Sequence, residues 1–444
     1  MAPLPSISVI VPSHGRPGWL ARCITSLRQL DYPSFEIIVV TDSVSLDRLD
    51  KHPHRALIRT ATLDAANVSE ARNAGLIKAG GDLVAYIDDD AVAEPLWLRH
   101  HAEAFQTFDI AASTGFVRGR NGISYQSAVT SVDAEGETHR ETSGDGRAFV
   151  PKLGPGRALK LVGTNAVYRR ECLNELGGFD PAFRFFLDDT DMSLRLKSAG
   201  HLAAAVPLAQ VHHAFAPSVR RTRLRAPRDL TEIGRSSAVF AMRYRGAPPE
   251  ELKERLFSRE RHRLVSHMVR GTCEPHDIAN SLATLENGWR EGAVLMTEPP
   301  APLSHARGRF EPVPVASTGN FVITSRLLNR RRSLSNARRL AELGNNVSVF
   351  SFSLTILRHH VRYVQPGIWL QTGGQFGRSV RSASRYRWCR FADRVKEEIR
   401  RVALVRGIRE SAASCDTTDE RWSHEHRCSA GPGAGERDGT KGQS

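Results

Sequence analysis

Leu83-Val84-Ala85-Tyr86-Ile87-Asp88-Asp89-Asp90-Ala91 decides how this chain is read. Five apolar, partly β-branched residues suit a buried strand, and three carboxylates stand directly at its carboxyl end. Carboxylates that close repel one another and call for a counter-charge, which a hard divalent cation with oxygen ligands supplies. Such a cation in turn holds a diphosphate. The plain alternative is a solvated acidic turn, or an N-cap for a helix beginning at Pro95-Leu96-Trp97-Leu98, so the surrounding chain has to decide.

Upstream, strand and helix signals alternate. Ile7-Ser-Val-Ile-Val11 is a β-branched run stopped by Pro12, followed by the loop Ser13-His-Gly-Arg-Pro17 and a helical pattern from Gly18 to Leu30. Phe35 to Val40 is a second strand ending at Asp42, and an acid there lies where ligands bind in open α/β sheets; a turn cap is its other role. Ala56 to Thr60 is a third strand, and Ser69 is placed to cap a helix that Gly80 and Gly81 end. Alternation of this kind predicts a doubly wound sheet with right-handed crossovers. No G-x-G-x-x-G follows the first strand, which argues against a dinucleotide site.

Four segments, Val9-Ile-Val-Pro12, Glu36-Ile-Ile-Val-Val-Thr-Asp42, Ser69-Glu-Ala-Arg-Asn-Ala-Gly75 and Tyr86-Ile-Asp-Asp-Asp90, in this order and spacing resemble the nucleotide-binding half of the family 2 glycosyltransferases. The resemblance implies a GT-A fold, a Rossmann-like mixed sheet flanked by helices, and an inverting hexosyl transfer that depends on Mn2+ or Mg2+. It also implies a nucleoside-diphosphate sugar donor, a UDP-sugar first among them, and a glycan or lipid-linked acceptor. By the same resemblance Asp42 holds the base or ribose, Asp88 the ribose or metal, and Asp90 the metal, while Pro12 and Arg72 join the donor contacts. Gly163-Thr164-Asn165 is similar to the family's sugar-facing G-T-N segment. Asp188-Asp189 stands where the family has Glu-Asp, which implies that Asp189 is the general base with Asp188 beside it. A histidine after a short strand resembles the family's third metal ligand, and His212 is preferred to His213. Asp89 receives no role, and Asp191 is expected to pair with Arg195 at i,i+4.

Composition bounds the remainder. The chain has 444 residues, a net charge of +14 and a pI near 10.0, so an anionic partner is expected, whether nucleotide, phosphorylated acceptor or lipid surface. Its six cysteines are scattered without a C-x-x-C pair and read as free thiols. No signal segment and no run of roughly 18 apolar residues is seen, which predicts a cytoplasmic protein with peripheral contact to an anionic membrane at its inner face. The expected division is a GT-A domain over 1–218, a basic helical extension and Pro-rich linker over 219–316, a small α/β module over 317–410, and a disordered tail over 411–444. Residues 116–156 read as mobile loops, and Arg220 to Arg228 as a basic run. Residues 319–353 resemble the opening βαβ unit of GT-B glycosyltransferases. Two other classes compete: a nucleotidyltransferase, which also uses strand-end aspartates, and a non-enzymatic polyanion binder, although no nucleic acid is expected as partner.

Overall fold

The computed structural model describes residues 3–217, 220–222, 224–246, 250–295, 298–303, 307–314 and 319–409. Expectations for Arg223, Cys415, Cys428 and the tail 411–444 lie outside the described residues. The four described cysteines are free thiols.

The chain begins with β1 (Ile7–Pro12), α1 (Pro17–Leu27), β2 (Phe35–Thr41), α2 (Ser43–Leu49), β3 (Ile58–Thr62), α3 (Val68–Lys78), β4 (Leu83–Tyr86), β5 (Ala91–Ala93), α4 (Trp97–Thr107) and β6 (Ala112–Arg118). It continues with β7 (Tyr125–Ser127), β8 (Thr130–Val132), β9 (Thr138–Arg140), β10 (Ala158–Leu159), β11 (Ala166–Arg169), α5 (Arg170–Glu175), α6 (Asp188–Ser198) and β12 (Ala203–His213). The main sheet runs β3-β2-β1-β4-β11-β6-β12-β5, with β7 on the flank of β6. From β3 to β4 the strands are parallel, as alternation predicts, but β11 lies antiparallel between β4 and β6. The sheet is therefore mixed, of the GT-A kind, and not a fully parallel doubly wound one.

Burial explains why its central strands read as nearly unbroken apolar runs. Ile7, Val9 and Val11 of β1 face one core with Leu20, Ile24 and Trp97, whereas Ile10 faces the other with Tyr86 and Leu76. β4 divides the same way, Ala85 to the first core and Val84 to the second. With both faces covered, the strands are almost wholly apolar, and the exceptions are buried and partnered: Ser8 Oγ donates to Glu36 at 2.6 Å and Arg59 holds the Glu36 carboxylate at 2.8 Å. After Ile87 three carboxylates stand together.

Several local expectations shift. The cap of α3 is Asn67, whose Oδ1 accepts from the Ser69 and Glu70 amides, while Ser69 Oγ donates 2.6 Å to the Phe183 carbonyl. Residues 116–156 include β7, β8 and β9, the last two forming an antiparallel sheet with β10, so short-range pairing replaces the predicted loops. Residues 298–303 and 307–314 are pinned to the amino-terminal unit through Leu303 N to Asn174 O and Val313 N to Phe35 O.

Three helices follow, α7 (Thr231–Arg245), α8 (Glu250–Val269) and α9 (Pro275–Ala293). Pairs α7 and α9 approach backbone to backbone: a Cβ on Gly288 would fall 1.9 Å from Thr231 O, and one on Gly234 2.2 Å from Leu285 O. Gly288→Ala is expected to force the helices apart and cost about 1–3 kcal/mol, measured as a lowered denaturation midpoint.

The last unit comprises β13 (Asn320–Ser325), α10 (Arg330–Glu342), β14 (Asn346–Ser353), β15 (His360–Val364), β16 (Ile368–Gly374) and α11 (Phe391–Arg406). Its sheet, β13-β14-β16-β15, is parallel except for the edge strand β15. The amino ends of β14 and β16 dock on Gln29 of the first unit: Asn346 Nδ2 donates to Gln29 O at 3.2 Å, and Gln29 Nε2 donates to Gly367 O at 2.9 Å.

Candidate active site

Two groups of acids meet at the carboxyl edge of the main sheet. At the end of β4, Asp88 is half-buried and Asp89 and Asp90 are buried. At the start of α6, Asp188 is buried and Asp189 half-buried. Leu187, just before them, is held at φ 65, a left-handed conformation that costs a branched side chain energy and that the surroundings must impose. Arg72 of α3 joins the groups: its guanidinium pairs with Asp188 and reaches Asp88 at 3.9 Å. Its ring neighbours are Phe179, 4.8 Å away, and Tyr86. Burial alone would lower the Arg72 pKa, but Asp188 and Asp88 reverse this and hold it charged.

Gly163 is explained by the same arginine, since a Cβ there would lie 2.4 Å from Arg72 Nη2. Thr164 Oγ1 sits 3.4 Å from the Asp88 amide. Asn165 departs from the expected donor contact. Its side chain is fully buried, accepts from Trp97 Nε1 at 2.7 Å, and donates to Phe116 O and Ala209 O at 3.0 and 2.9 Å. His101 Nε2 adds a fourth bond at 3.0 Å, so the amide's capacity is spent on packing α4 against β6 and β12.

Asp42 caps α2: Oδ1 accepts from Ser45 N at 2.9 Å and Oδ2 from Gly15 N at 2.6 Å. That ties the loop after β1 to the end of β2. Pro12 is the last, buried residue of β1 on this edge. Asp89, which had no role in the sequence, fixes the same loop: Arg16 Nη2 approaches its Oδ1 at 2.6 Å, and Ser13 Oγ donates to its Oδ2 at 2.7 Å. Burial pushes the Asp89 carboxyl up, to about 7, against the pull of Arg16. The one available signal was Arg16 itself, a lone cation in the loop that follows the first strand.

The histidine expectation is corrected. His213, not His212, faces the acids: His213 Nε2 lies 3.1 Å from Asp90 Oδ1 and 3.9 Å from Asp88 Oδ2. His212 turns to the opposite face of β12, where Nε2 bonds Glu94 at 2.8 Å and the ring lies 4.9 Å from Trp369. Successive strand residues point to opposite faces, so one of the pair must; which one depends on register. Ligand atoms of Asp88, Asp90 and His213 lie within 4.8 Å of one another. Two carboxylates and an imidazole suit a divalent ion of the Mn2+ or Mg2+ kind. Burial would raise the Asp90 pKa, yet His213, Arg16 and the Ala216 amide together hold it well below the usual carboxylate range. Asp90 is thus a ready anion.

Asp189 differs from its neighbours. Its Oδ1 accepts from Thr190 Oγ1 at 3.2 Å, and among the described residues it has no ion pair. Asp191 pairs with Arg195 at 2.7 Å, as i,i+4 spacing predicts, and also with Arg243 at 2.8 Å. Beyond His213 opens a cleft of about 420 Å3, bounded by Trp19, Arg22, Arg120, Arg225, Arg362 and Tyr363.

A mixed sheet with acids at its carboxyl edge, facing acids from the helix after β11, defines a GT-A domain. Residues 8–177 match the family described as glycosyl transferase family 2, and the amino-terminal half of the chain is a family 2 glycosyltransferase domain. Among curated relatives, an uncharacterized glycosyltransferase of Nostoc sp. is 28% identical over 190 residues, covering 39% of this chain and 54% of its own. The O-antigen biosynthesis protein RfbC of Myxococcus xanthus is 25% identical over 47% of this chain and 17% of its own. The succinoglycan biosynthesis protein ExoM of Rhizobium meliloti is 30% identical over 33% of this chain and 44% of its own. The chain spans about half the length, or less, of these relatives.

Proposed function

We propose that the protein is an inverting, metal-dependent glycosyltransferase that moves a sugar from a nucleoside-diphosphate sugar, a UDP-sugar first, to a hydroxyl of a glycan or lipid-linked acceptor. The observation that supports this reading is Arg72, which pairs with Asp188 and reaches Asp88 at 3.9 Å, so that the two acid groups lie side by side. Relatives named for O-antigen and succinoglycan synthesis support a place in cell-envelope polysaccharide formation.

In this reading Asp42 and the loop it fixes hold the nucleoside, and Gly163 and Thr164 border the sugar. Asp88, Asp90 and His213 hold the cation, which supplies positive charge to the departing diphosphate. Arg22 and Arg225 extend the same positive field into the cleft. Asp189 accepts the proton of the acceptor hydroxyl as its oxygen bonds to the anomeric carbon from the face opposite the leaving group. Transfer from that face inverts the anomeric centre.

The test is a panel of nucleotide sugars with Mn2+, Mg2+ or chelator. A matching donor is expected to raise the melting temperature only with metal, since binding to the folded state stabilises by mass action, and to be hydrolysed slowly. Asp90→Ala should abolish both effects. Donor turnover undiminished in chelator would refute metal dependence.

A further inference from the structure

The carboxyl-terminal unit presents a face that the site does not use. β13, β14 and β16 are parallel, and the amino ends of the last two are docked on Gln29. Although the edge strand β15 also reaches the amino-terminal unit, where Val361 N donates to Asn121 O at 2.9 Å, the carboxyl ends of the three parallel strands lie at the other end of the sheet from this docking. Three loops gather there: 326–329 after β13, 354–359 after β14 and 375–390 after β16.

These loops are in contact. His359 N donates to Arg378 O at 3.1 Å, Gly374 N to Leu357 O at 2.9 Å, and Arg326 lies 4.2 Å over the Phe391 ring. Together they expose Leu327, Leu328, Ile356, Leu357, Tyr386 and Trp388, with Leu328 101% and Trp388 68% accessible. Scattered single exposed apolar residues are ordinary, but a cluster confined to the loops at one end of one sheet is not.

Charge on these loops is predominantly positive: Arg387 is taken up by Glu397 of α11, and Asp393 in the first turn of α11 is exposed, but the remaining arginines outnumber them. Arg326, Arg331, Arg358, Arg381, Arg385 and Arg390 are exposed, and none forms an ion pair among the described residues. Between Glu342 and Asp393 the sequence contains no Asp or Glu.

We propose that this strand-end face docks on an anionic lipid bilayer, with the leucine and isoleucine tips entering the headgroup boundary, Tyr386 and Trp388 at its level, and the arginines on lipid phosphates. Aliphatic tips distinguish this surface from a nucleic-acid groove, where stacking aromatics and polar contacts dominate. Arginine in clear excess over carboxylate distinguishes it from an ordinary protein interface, whose core is depleted of charge. Two signals, apolar insertion and a basic patch, are what reversible anchoring requires. No helix among the described residues is long and apolar enough to cross a membrane, so contact of this kind is peripheral. The proposal does not rest on the catalytic reading.

The experiment is co-sedimentation of the full chain with phosphatidylcholine vesicles, with and without phosphatidylglycerol. The unmodified protein is expected to pellet with the anionic vesicles only. Leu327→Ser, Leu328→Ser and Trp388→Ser combined should weaken binding by about tenfold or more even at low salt. Arg331→Glu with Arg385→Glu should remove the preference for anionic lipid. All these positions are exposed, and unchanged melting temperatures will show that the fold is kept. The proposal is overturned if the protein pellets with neither vesicle. It is equally overturned if the apolar triple variant binds like the unmodified chain, which would mark a general polyanion surface.

Discussion

Asp189→Asn is expected to lower sugar transfer by about 10²–10⁴-fold, the usual contribution of a positioned base, while the donor-induced rise in melting temperature persists. The expectation follows from the contrast between adjacent aspartates. Asp188 is buried and neutralised by Arg72, so its carboxylate holds the site together. Asp189, one residue on, is half-exposed at the first turn of α6, with only a threonine hydroxyl on it. Asp188→Asn should look different, costing stability on the order of 3–5 kcal/mol by taking from the buried Arg72 its close partner and leaving only Asp88 at 3.9 Å. If Asp189→Asn turned over normally, with Asp188→Asn inactive yet stable, the base would be Asp188.

Arg406→Ala is expected to destabilise the whole chain by about 3–5 kcal/mol, read as a lower denaturant midpoint. Arg406 grips both oxygens of Glu94, at 2.8 and 3.0 Å, and lies 4.5 Å over the Trp369 ring. Glu94 is buried, so removing the arginine leaves its carboxylate with His212 alone between α11 and the amino-terminal unit. Changing both partners, Glu94→Gln with Arg406→Met, should recover much of the loss. The pair also sets an acid limit. Burial would raise the Glu94 pKa, but Arg406 and His212 outweigh it and hold it down to about 2. A carboxylate whose folded pKa lies below its unfolded value stabilises the fold above the unfolded value, and that stabilisation is lost as pH falls through the folded one. The difference in stability between the unmodified chain and Glu94→Gln should accordingly shrink between about pH 4.3, the ordinary glutamate value, and pH 2.

Legibility in the sequence followed the range of the contacts. β1, β2 and β4 could be read because strands covered on both faces are almost wholly apolar, and the acids after Ile87 marked where the sheet ended. The resemblance then carried Asp88, Asp90 and Asp189 to one functional group. What stayed hidden depends on partners far along the chain. The choice of His213 rests on the register of β12 against β5, where His213 stands opposite Ala91. Asn165 sits in a segment that looks sugar-facing, but Trp97 and Phe116 claim its amide. Asp89 and Arg16 lie on separate loops 73 residues apart, and the lone cation after the first strand was the sole hint of their pairing. In the terminal βαβ unit the helix begins at Arg330, because three arginines form a good first turn, yet they carry no apolar period that would mark it in the sequence.

Adjacent histidines on β12 answer to different masters. His212 is clamped by Glu94 and Trp369, and through them by the terminal helix, whereas His213 looks into the cleft. Gln126 and Phe215 hold the ring of His213 itself, at 3.1 Å from Nδ1 and 4.4 Å between centroids. One peptide bond away, the same strand is fastened to residues almost two hundred positions downstream, so a shortened chain that kept every acid of the site would lose the brace behind the strand that brings them a histidine.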